Sequence, residues 1–291
     1  MNKSIKLILK LSFYQSKCTQ TVTMKSLLLL IFCVFAMSIS AQNRSDRNCI
    51  SGNCKDGNGV QINEHGERYE GEFDFTLYNG QGKYTYKNGN YYVGSFKDNK
   101  FHGKGKLYRS NGDLIYEGGY YYGNMKGIGK ENYTDGGRYE GNFSGWGRDG
   151  QGTYYYPDGK KYVGEWKSNK RKGKGLMYYP EGDKRYEGEY VDNNRNGKGT
   201  FYYRDGKKYI GEWKNGSKHG KGIMYYSDGS IRYNGEYTGD KREGNGTYFY
   251  EDGKKYAGEW KNGNKHGKGI MYAADSSVEF DGNYLNNKPK K

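Results

Sequence analysis

Residues 186–201, YEGEYVDNNRNGKGTF, contain the two short motifs that decide the fold of this chain. The first motif is Tyr-x-Gly-x-aromatic, which begins at Tyr186. The second is Gly-x-Gly followed by an aromatic residue, which begins at Gly197 after a polar loop. Side chains two residues apart share one face of a β-strand, so both motifs predict strands that carry glycine and aromatic residues on a single face.

Both motifs recur along the chain at a nearly constant spacing, as Tyr162, Tyr186 and Tyr209 illustrate. The second motif precedes every copy of the first, from Gly57 to Gly267, and Phe280 takes the place of tyrosine in a tenth copy. Such regular self-similarity predicts a repeat architecture. The residues expected to form the repeated core are Tyr69, Gly71, Tyr92, Gly94, Tyr116, Gly118, Tyr139, Gly141, Tyr162, Gly164, Trp166, Tyr186, Gly188, Tyr209, Gly211, Trp213, Tyr233, Gly235, Tyr256, Gly258 and Trp260.

Each repeat has the pattern of a β-hairpin. The Gly-x-Gly strand leads to Asn-Gly or Asp-Gly, as at Asp205-Gly206, and this dipeptide is a strong signal for a tight turn. The Tyr-x-Gly strand then returns. The period of two predicts one face of aromatic residues and glycine and an opposite, charged face, on which carboxylates such as Glu165 and Glu189 are expected to meet lysines across the strands.

The pattern Tyr-Glu-Gly-Glu-Tyr, polar loop, Gly-Lys-Gly-Thr-aromatic resembles the membrane occupation and recognition nexus (MORN) repeat, and the resemblance covers residues 57–284. It implies an all-β fold: a single elongated antiparallel sheet of about ten stacked hairpins. MORN repeats occur in junction-forming membrane proteins and ciliary scaffolds, and some are attached to lipid kinases or methyltransferases. The sequence contains no such appended catalytic domain.

The N-terminal part of the chain, residues 1–41, has the character of a targeting segment. Residues 24–41 combine a lysine, an apolar run of about a dozen residues and a small-residue cleavage zone, which is typical of a signal peptide. We therefore expect export, to the periplasm, the outer surface or the medium of a bacterium. Residues 1–23 are interpreted as a dispensable or misannotated leader, residues 42–56 as an N-terminal cap and residues 285–291 as a basic tail.

Two cysteines, Cys49 and Cys54, remain after cleavage near Ala41. Disulfides persist in oxidising compartments, so these two are expected to bond to each other. A zinc site normally needs four ligands at characteristic spacing, and the sequence offers no Cys or His cluster that completes one. No metal is expected.

The sequence contains no pattern that indicates catalysis or a cofactor. The Gly-Lys pairs lack the spacing of a phosphate-binding loop, and Gly-x-Gly without a third glycine and a helix is not a dinucleotide site. His102, His219 and His266 precede Gly-Lys-Gly, but other repeats carry unrelated residues at that position. We expect no enzyme activity, no cofactor and no small-molecule substrate.

Charge gives a further indication of the partner. The formal net charge is +15, of which five lysines lie before Gln42, and the remainder is interleaved with acids. This pattern does not favour nucleic acid. Two hypotheses remain: a scaffold for an unidentified protein partner, which is favoured, and electrostatic attachment to an anionic phospholipid or polysaccharide surface. Candidate contacts for that surface are Lys170, Arg171, Lys172, Lys218, Lys221, Lys265 and Lys268.

Overall fold

The computed structural model describes residues 48–290. The expected leader (1–23), the expected signal peptide (24–41) and residues 42–47 of the expected cap lie outside this part of the chain. Within residues 48–290, no helix has the length and apolar character needed to cross a membrane.

The described chain forms β-strands joined by short turns. In chain order the strands are β1 (Cys49–Gly52), β2 (Gly57–Ile62), β3 (Arg68–Asp74), β4 (Leu77–Thr85), β5 (Tyr91–Lys97), β6 (Lys100–Tyr108), β7 (Leu114–Tyr121), β8 (Asn124–Asn132), β9 (Arg138–Gly145), β10 (Gly147–Tyr155), β11 (Lys161–Lys167), β12 (Lys170–Tyr178), β13 (Lys184–Val191), β14 (Asn194–Tyr202), β15 (Lys208–Lys214), β16 (Ser217–Tyr225), β17 (Ile231–Thr238), β18 (Lys241–Phe249), β19 (Lys255–Lys261), β20 (Asn264–Tyr272), β21 (Val278–Leu285) and β22 (Lys288–Pro289).

Every strand pairs antiparallel with the next strand in the sequence, so the described residues form one open, 22-stranded sheet. Strands β2 to β21 are the ten predicted hairpins, and the all-β prediction is confirmed. Two kinds of turn alternate along the sheet. Asp-Gly-type turns lie within the hairpins, and two-residue turns such as Asp192-Asn193, where φ is 46° and 71°, connect one hairpin to the next.

The core of each hairpin is a tyrosine that lies flat on glycine. Tyr186 is 1% exposed although only one sheet is present. Its ring crosses Gly188 of its own strand and Gly199 of the next, and these two glycines are register partners. The Tyr186 hydroxyl donates a hydrogen bond to the carbonyl oxygen of Glu189 at 3.2 Å. The ring is therefore buried, and its hydroxyl is hydrogen-bonded, without a second layer of secondary structure packed on the sheet.

The flat tyrosines are joined by edge-to-face contacts with the aromatic residue four positions later. Tyr186 contacts Tyr190 of its own strand with ring centroids 5.2 Å apart, and Trp213 of the next hairpin at 5.5 Å. The same pair of contacts recurs at Tyr233, with Tyr237 and Trp260. Edge-to-face packing adds stabilisation to the burial of the rings, so the core is continuous along the sheet.

Short strands lie at both edges of the sheet. Cys49 and Cys54 are joined by a disulfide, and strand β1 between them pairs with β2. At the other end the chain turns back after Leu285, and Lys288–Pro289 forms the two-residue strand β22. Proline and lysine at a sheet edge oppose further pairing, because proline lacks an N–H donor.

A methyl group on the tyrosine-bearing face of Gly199 should destabilise the array. An added Cβ would lie 2.2 Å from the Tyr186 hydroxyl, so the ring must leave its position. We expect Gly199→Ala to cost about 2–3 kcal/mol. Thr200→Ala, one residue later on the opposite face, should cost under about 1 kcal/mol. Thermal and urea unfolding of both variants tests this, and equal stabilities would contradict the packing described.

The buried tyrosines predict loss of stability at alkaline pH. Burial raises the pKa of Tyr116, Tyr139 and Tyr256 from 10 to about 12. A raised pKa in the folded state means that this stability is complete below pH 10 and is lost as pH rises towards 12. Tyrosinate absorbance and circular dichroism should therefore show a late, shared transition. Ionisation of the buried rings with unchanged dichroism would contradict the prediction.

Candidate functional site

The sheet presents two chemically different faces. The aromatic face carries the flat tyrosines, such as Tyr186, and the aromatic residues four positions later, such as Tyr190. The polar face carries the alternate positions, such as Glu187 and Glu189. The sequence predicted this division, but it placed charge on the polar face alone, and that part is wrong.

A second row of side chains runs along the aromatic face. Each member, called here a slot residue, is the register partner of the aromatic residue four positions after a flat tyrosine, as Arg195 is of Tyr190. In the first repeat the slot residue is Tyr78, whose ring stacks on Tyr69 at 3.8 Å. The nine slot residues are Tyr78, Phe101, Met125, Arg148, Arg171, Arg195, Lys218, Arg242 and Lys265.

The last six slot residues are cations that lie on aromatic rings in place of a stacked ring. The guanidinium carbon of Arg195 is 4.0 Å from the ring centroid of Trp213, and that of Arg242 is 4.0 Å from the ring of Trp260. Burial lowers the pKa of both arginines, and it also lowers the pKa of Lys218 and Lys265. These charges are partly removed from water and are held by cation–π contacts.

The backbone of the next turn holds the guanidinium groups of the four slot arginines, as the Asn169 carbonyl oxygen does for Arg148. Arg171 donates a hydrogen bond from its guanidinium to the Asn193 carbonyl oxygen at 2.6 Å, and its backbone N–H donates to the Asn193 side chain at 2.9 Å. Arg195 and Arg242 donate to the carbonyl oxygens of Gly216 and Gly263. Within residues 48–290, no charged side-chain nitrogen of the six cations lies within 4.0 Å of a carboxylate oxygen, although the Asp240 carboxylate accepts a hydrogen bond from the backbone N–H of Lys218 at 2.9 Å. The row is therefore positive and not neutralised by ion pairs.

Three arginines converge at one point of this row. Arg171 and Arg195 are slot residues, and Arg185 is the extra residue of a bulge where β13 leaves its turn. Together with Asn193 and Asn194 they line a depression of about 230 Å³ whose floor is aromatic. The Nε atom of Arg185 is buried without a hydrogen-bond partner. This three-arginine pocket contains no carboxylate among its lining residues.

The charge of the pocket acts on a neighbouring tyrosine. Burial raises the pKa of Tyr190 to about 12, while Arg171, Arg195 and Arg185 oppose that rise by stabilising the phenolate. Burial raises the pKa of Tyr237, its equivalent two repeats later, further still. There Arg242 opposes the rise, while the neighbouring Tyr233 and Tyr209 add to it.

The seven cations predicted to contact an anionic surface do not form one surface. Arg171, Lys218 and Lys265 are half-buried slot residues on the aromatic face. The others are exposed elsewhere and comprise Lys170, Lys172, Lys221 and Lys268. Sequence reasoning missed Arg148, Arg195 and Arg242, although the six slot cations recur with the same spacing as the two motifs.

Carboxylates on the polar face have a structural role that the sequence did not reveal. In six of the long strands three residues bulge opposite one glutamate, as Asn196 to Lys198 do opposite Glu189, whereas the bulges of β6, β8 and β10 lie opposite Ser95, Gly119 and Asn142. The Glu189 carboxylate accepts a hydrogen bond from the backbone N–H of Lys198 at 3.3 Å. Glu165, Glu212 and Glu259 do the same. Lys174 and Lys198 lie directly opposite Glu189 and Glu212 across the strands, as expected, whereas Gln151 lies opposite Glu165. Within residues 48–290, these glutamates form no ion pair within 4.0 Å.

Other predicted features can be placed briefly. His102, His219 and His266 stand in the same bulges and are half-buried. Within residues 48–290, no three His, Cys, Asp or Glu side chains are arranged to hold a metal ion.

Comparison with known proteins identifies the repeat. A family model described as the MORN repeat matches nine consecutive segments, which are residues 69–91, 92–114, 116–138, 139–161, 162–184, 186–208, 209–231, 233–255 and 256–278. No curated protein matches the chain.

Two solved structures give low-scoring superpositions. A mutant of the TCP10 domain of CPAP from Danio rerio is 14% identical, covers 77% of this chain and 99% of its own, and has a TM-score of 0.33. The TCP domain of SAS-4 (dCPAP) from Drosophila melanogaster, in complex with a proline-rich motif of Ana2, is 13% identical, covers 62% and 84%, and has a TM-score of 0.30. Scores this low support no functional comparison.

Removal of a bulge-capping carboxylate should weaken the sheet locally. Glu189→Ala leaves the Lys198 N–H without its acceptor, and we expect a loss of about 1 kcal/mol and faster exchange of that amide. Glu187→Ala removes a carboxylate from the same strand and face, where its partner is an exposed Lys184 ammonium at 3.0 Å. That variant should change stability by less than about 0.5 kcal/mol. Thermal melting and amide hydrogen exchange distinguish the two, and equal effects would exclude a capping role.

Proposed function

The chain belongs to the MORN-repeat family, and on this premise we propose that it is an exported, non-enzymatic scaffold that presents its aromatic face to a protein partner. The observation that carries the proposal is the row of slot residues, which continues without interruption through nine hairpins on one face of one sheet. Repeat proteins of this kind offer extended surfaces along which a partner can bind.

The aromatic face has the composition of a protein-binding surface. Arginine, tyrosine and tryptophan dominate binding energy at protein interfaces, because they combine a large contact area with directed hydrogen bonding. Here such residues recur along the row, as Arg195 on Trp213 and Arg242 on Trp260 illustrate, and the backbone of the sheet fixes their positions. A fixed surface loses little conformational entropy when a partner binds, so it favours affinity.

Export is proposed from the sequence before Gln42 together with the cysteines. That sequence has the order of a signal peptide, and Cys49 and Cys54 are bonded to each other. The protein isolated from its own cells should therefore begin near Gln42, which N-terminal sequencing and intact mass measure directly. A chain that retains residues 24–41 in the cytoplasm would refute export and leave the proposed interaction face unaffected.

A second candidate function is attachment to an anionic membrane or polysaccharide. The observation that favours it is that no side-chain nitrogen of the six slot cations forms an ion pair with a carboxylate in residues 48–290. The six cations lie low on aromatic rings, and the four arginines among them are hydrogen-bonded to turn carbonyls. A flat bilayer surface, however, is reached most easily by protruding lysines. A narrow partner that enters the row fits this arrangement better.

Photocrosslinking in the native cells tests the scaffold proposal. Phe201 and Tyr202 are adjacent, half-exposed rings on opposite faces, since Phe201 pairs with Tyr186 and Tyr202 pairs with Lys208. A photoreactive phenylalanine analogue at 201 should give a discrete protein adduct, and the analogue at 202 should not. Equal labelling from both positions, or no adduct from 201, would overturn the use of the aromatic face.

Vesicle co-sedimentation distinguishes the scaffold function from attachment to an anionic membrane. As a scaffold, the protein should remain in the supernatant with anionic vesicles at physiological salt, because weak surface attraction is screened over about 8 Å. Sedimentation that persists at physiological salt with anionic vesicles, and is absent with neutral ones, would instead favour the membrane.

A further inference from the structure

We propose that the aromatic face binds an extended acidic peptide segment of the protein partner, with one carboxylate in the three-arginine pocket and further carboxylates at every third residue along the row of slot cations. This inference rests on the proposed function and names the chemistry of the partner. Its three supports are the unused hydrogen-bond donors of the pocket, the charge of the slots and the spacing of the row.

The pocket holds donors that the protein itself leaves without an acceptor. A guanidinium has five N–H donors in a planar fork that matches a carboxylate. Arg195 donates to the Gly216 carbonyl and Arg171 to the Asn193 carbonyl and the Tyr156 hydroxyl, while Nε of Arg185 is buried and donates to no protein atom. A carboxylate placed between the three arginines would accept several charge-assisted hydrogen bonds at once.

The fold does not require a positive charge at a slot position. Tyr78, Phe101 and Met125 occupy the same position in the first three repeats. The rings of Tyr78 and Phe101 stack on the flat tyrosines Tyr69 and Tyr92, and Met125 is buried. A half-buried charge without a counter-ion costs free energy that these uncharged residues avoid. Six such cations in succession are therefore better explained by a ligand that supplies the missing negative charges than by packing alone.

The equivalent pocket two repeats later is less complete. There Arg232 donates from Nε to the Tyr248 hydroxyl at 3.0 Å, so that donor is already used. Asp240 stands where Asn193 stands in the three-arginine pocket, and its negative charge acts on Lys218. A peptide carboxylate is therefore bound most strongly in the pocket of Arg171, Arg185 and Arg195, where more donors are unused and no acidic side chain competes.

The spacing of the slot cations matches an extended peptide. Successive slots are two strands apart, which is about 9.6 Å. Three residues of a polyproline II segment rise about 9.3 Å, so every third side chain of such a segment meets a new slot. From Arg148 to Lys265 the row has five steps, or roughly 48 Å, which about sixteen peptide residues would span. A polyproline II chain has no internal hydrogen bonds and can follow the twist of the sheet.

The row has a direction that suits a peptide better than a membrane. Its first three positions are apolar and its last six are cationic. A peptide can meet the first part with apolar side chains and the second with acids, whereas an anionic bilayer presents the same charge along the whole face.

Peptide binding tests this directly. The probe is a fluorescent peptide of six Glu-Pro-Pro units, and its matched control is an isomer of the same composition in which the six glutamates form one block. We expect the regular peptide to bind at least about tenfold more tightly than the blocked isomer by fluorescence anisotropy at physiological salt, because the isomer can fill few slots at once. Equal affinities would overturn the proposed spacing.

Two triple variants locate the site. In Arg171→Met, Arg185→Ile, Arg195→Met each new residue is one that the chain already has at the equivalent position, namely Met125 and Ile115, so the fold should persist. This variant should bind the regular peptide at least about tenfold more weakly. Lys174→Gln, Lys198→Gln, Lys221→Gln removes the same charge from the polar face and should change affinity less than about threefold. Equal effects of the two variants would overturn the pocket.

The outcomes also separate this inference from the proposed function. If photocrosslinking from position 201 captures a partner that the Glu-Pro-Pro peptide does not displace, the scaffold proposal stands and the acidic-peptide inference falls. Binding of anionic vesicles without binding of either peptide would favour a membrane ligand and overturn the inference. If the triple arginine variant loses its dichroism, the single variant Arg185→Ile replaces it, because it removes the unpartnered donor without changing a slot residue. That single variant should also bind the regular peptide more weakly, and unchanged binding would overturn the pocket.

Discussion

A tyrosine ring that lies on a pair of glycines is the constraint on which this structure depends. A single sheet has no opposing layer, so its apolar side chains must be buried within one face. The Tyr186 ring achieves this because Gly188 and Gly199, paired across two strands, leave no Cβ beneath it. The requirement for glycine at both positions then fixes the register of every neighbouring strand, since a shift of one residue would bring side chains under the ring.

The flat tyrosine also determines what can lie above it. The ring leaves an aromatic surface that the slot residue covers, and either another ring or a cation can do so, as Tyr78 and Arg195 illustrate. An arginine at the slot covers the aromatic surface and keeps part of its hydrogen-bonding fork free. The same position can therefore complete the core and display charge, which explains how a face built for packing can also recognise a ligand.

The sequence predicted the hairpins, their turns and their two faces, because these depend on residues close together in the chain. Asp-Gly dipeptides and alternation over seven to nine residues are local signals. The row of slot cations was missed for a different reason. Lys170, Arg171 and Lys172 look like one basic loop, but alternate residues of a strand face opposite ways, and only Arg171 reaches the aromatic face. The three-residue bulges could not be predicted either. The three residues opposite Glu189 have the sequence of a regular strand, and only the register of the two strands shows that they bulge.

The one-residue bulges that follow the longer turns are a different feature, and they give the array a longer period than that of its hairpins. Hairpins with the longer turn insert an extra residue just before the flat tyrosine, or before Phe280 in the last hairpin. This residue is Ile115, Arg185, Arg232 or Glu279 in the four cases where the register shifts. The extra residues differ from one longer turn to the next, whereas the two slot residues that flank Ile115, Arg185 or Arg232 resemble each other. The extra residues therefore distinguish one part of the row from another. Arg185 stands between two arginine slots and Ile115 between apolar ones. A ligand that contacts only the slot residues could bind in several registers, each shifted by one repeat. A ligand that also contacts the extra residues after the longer turns has one preferred register on the sheet.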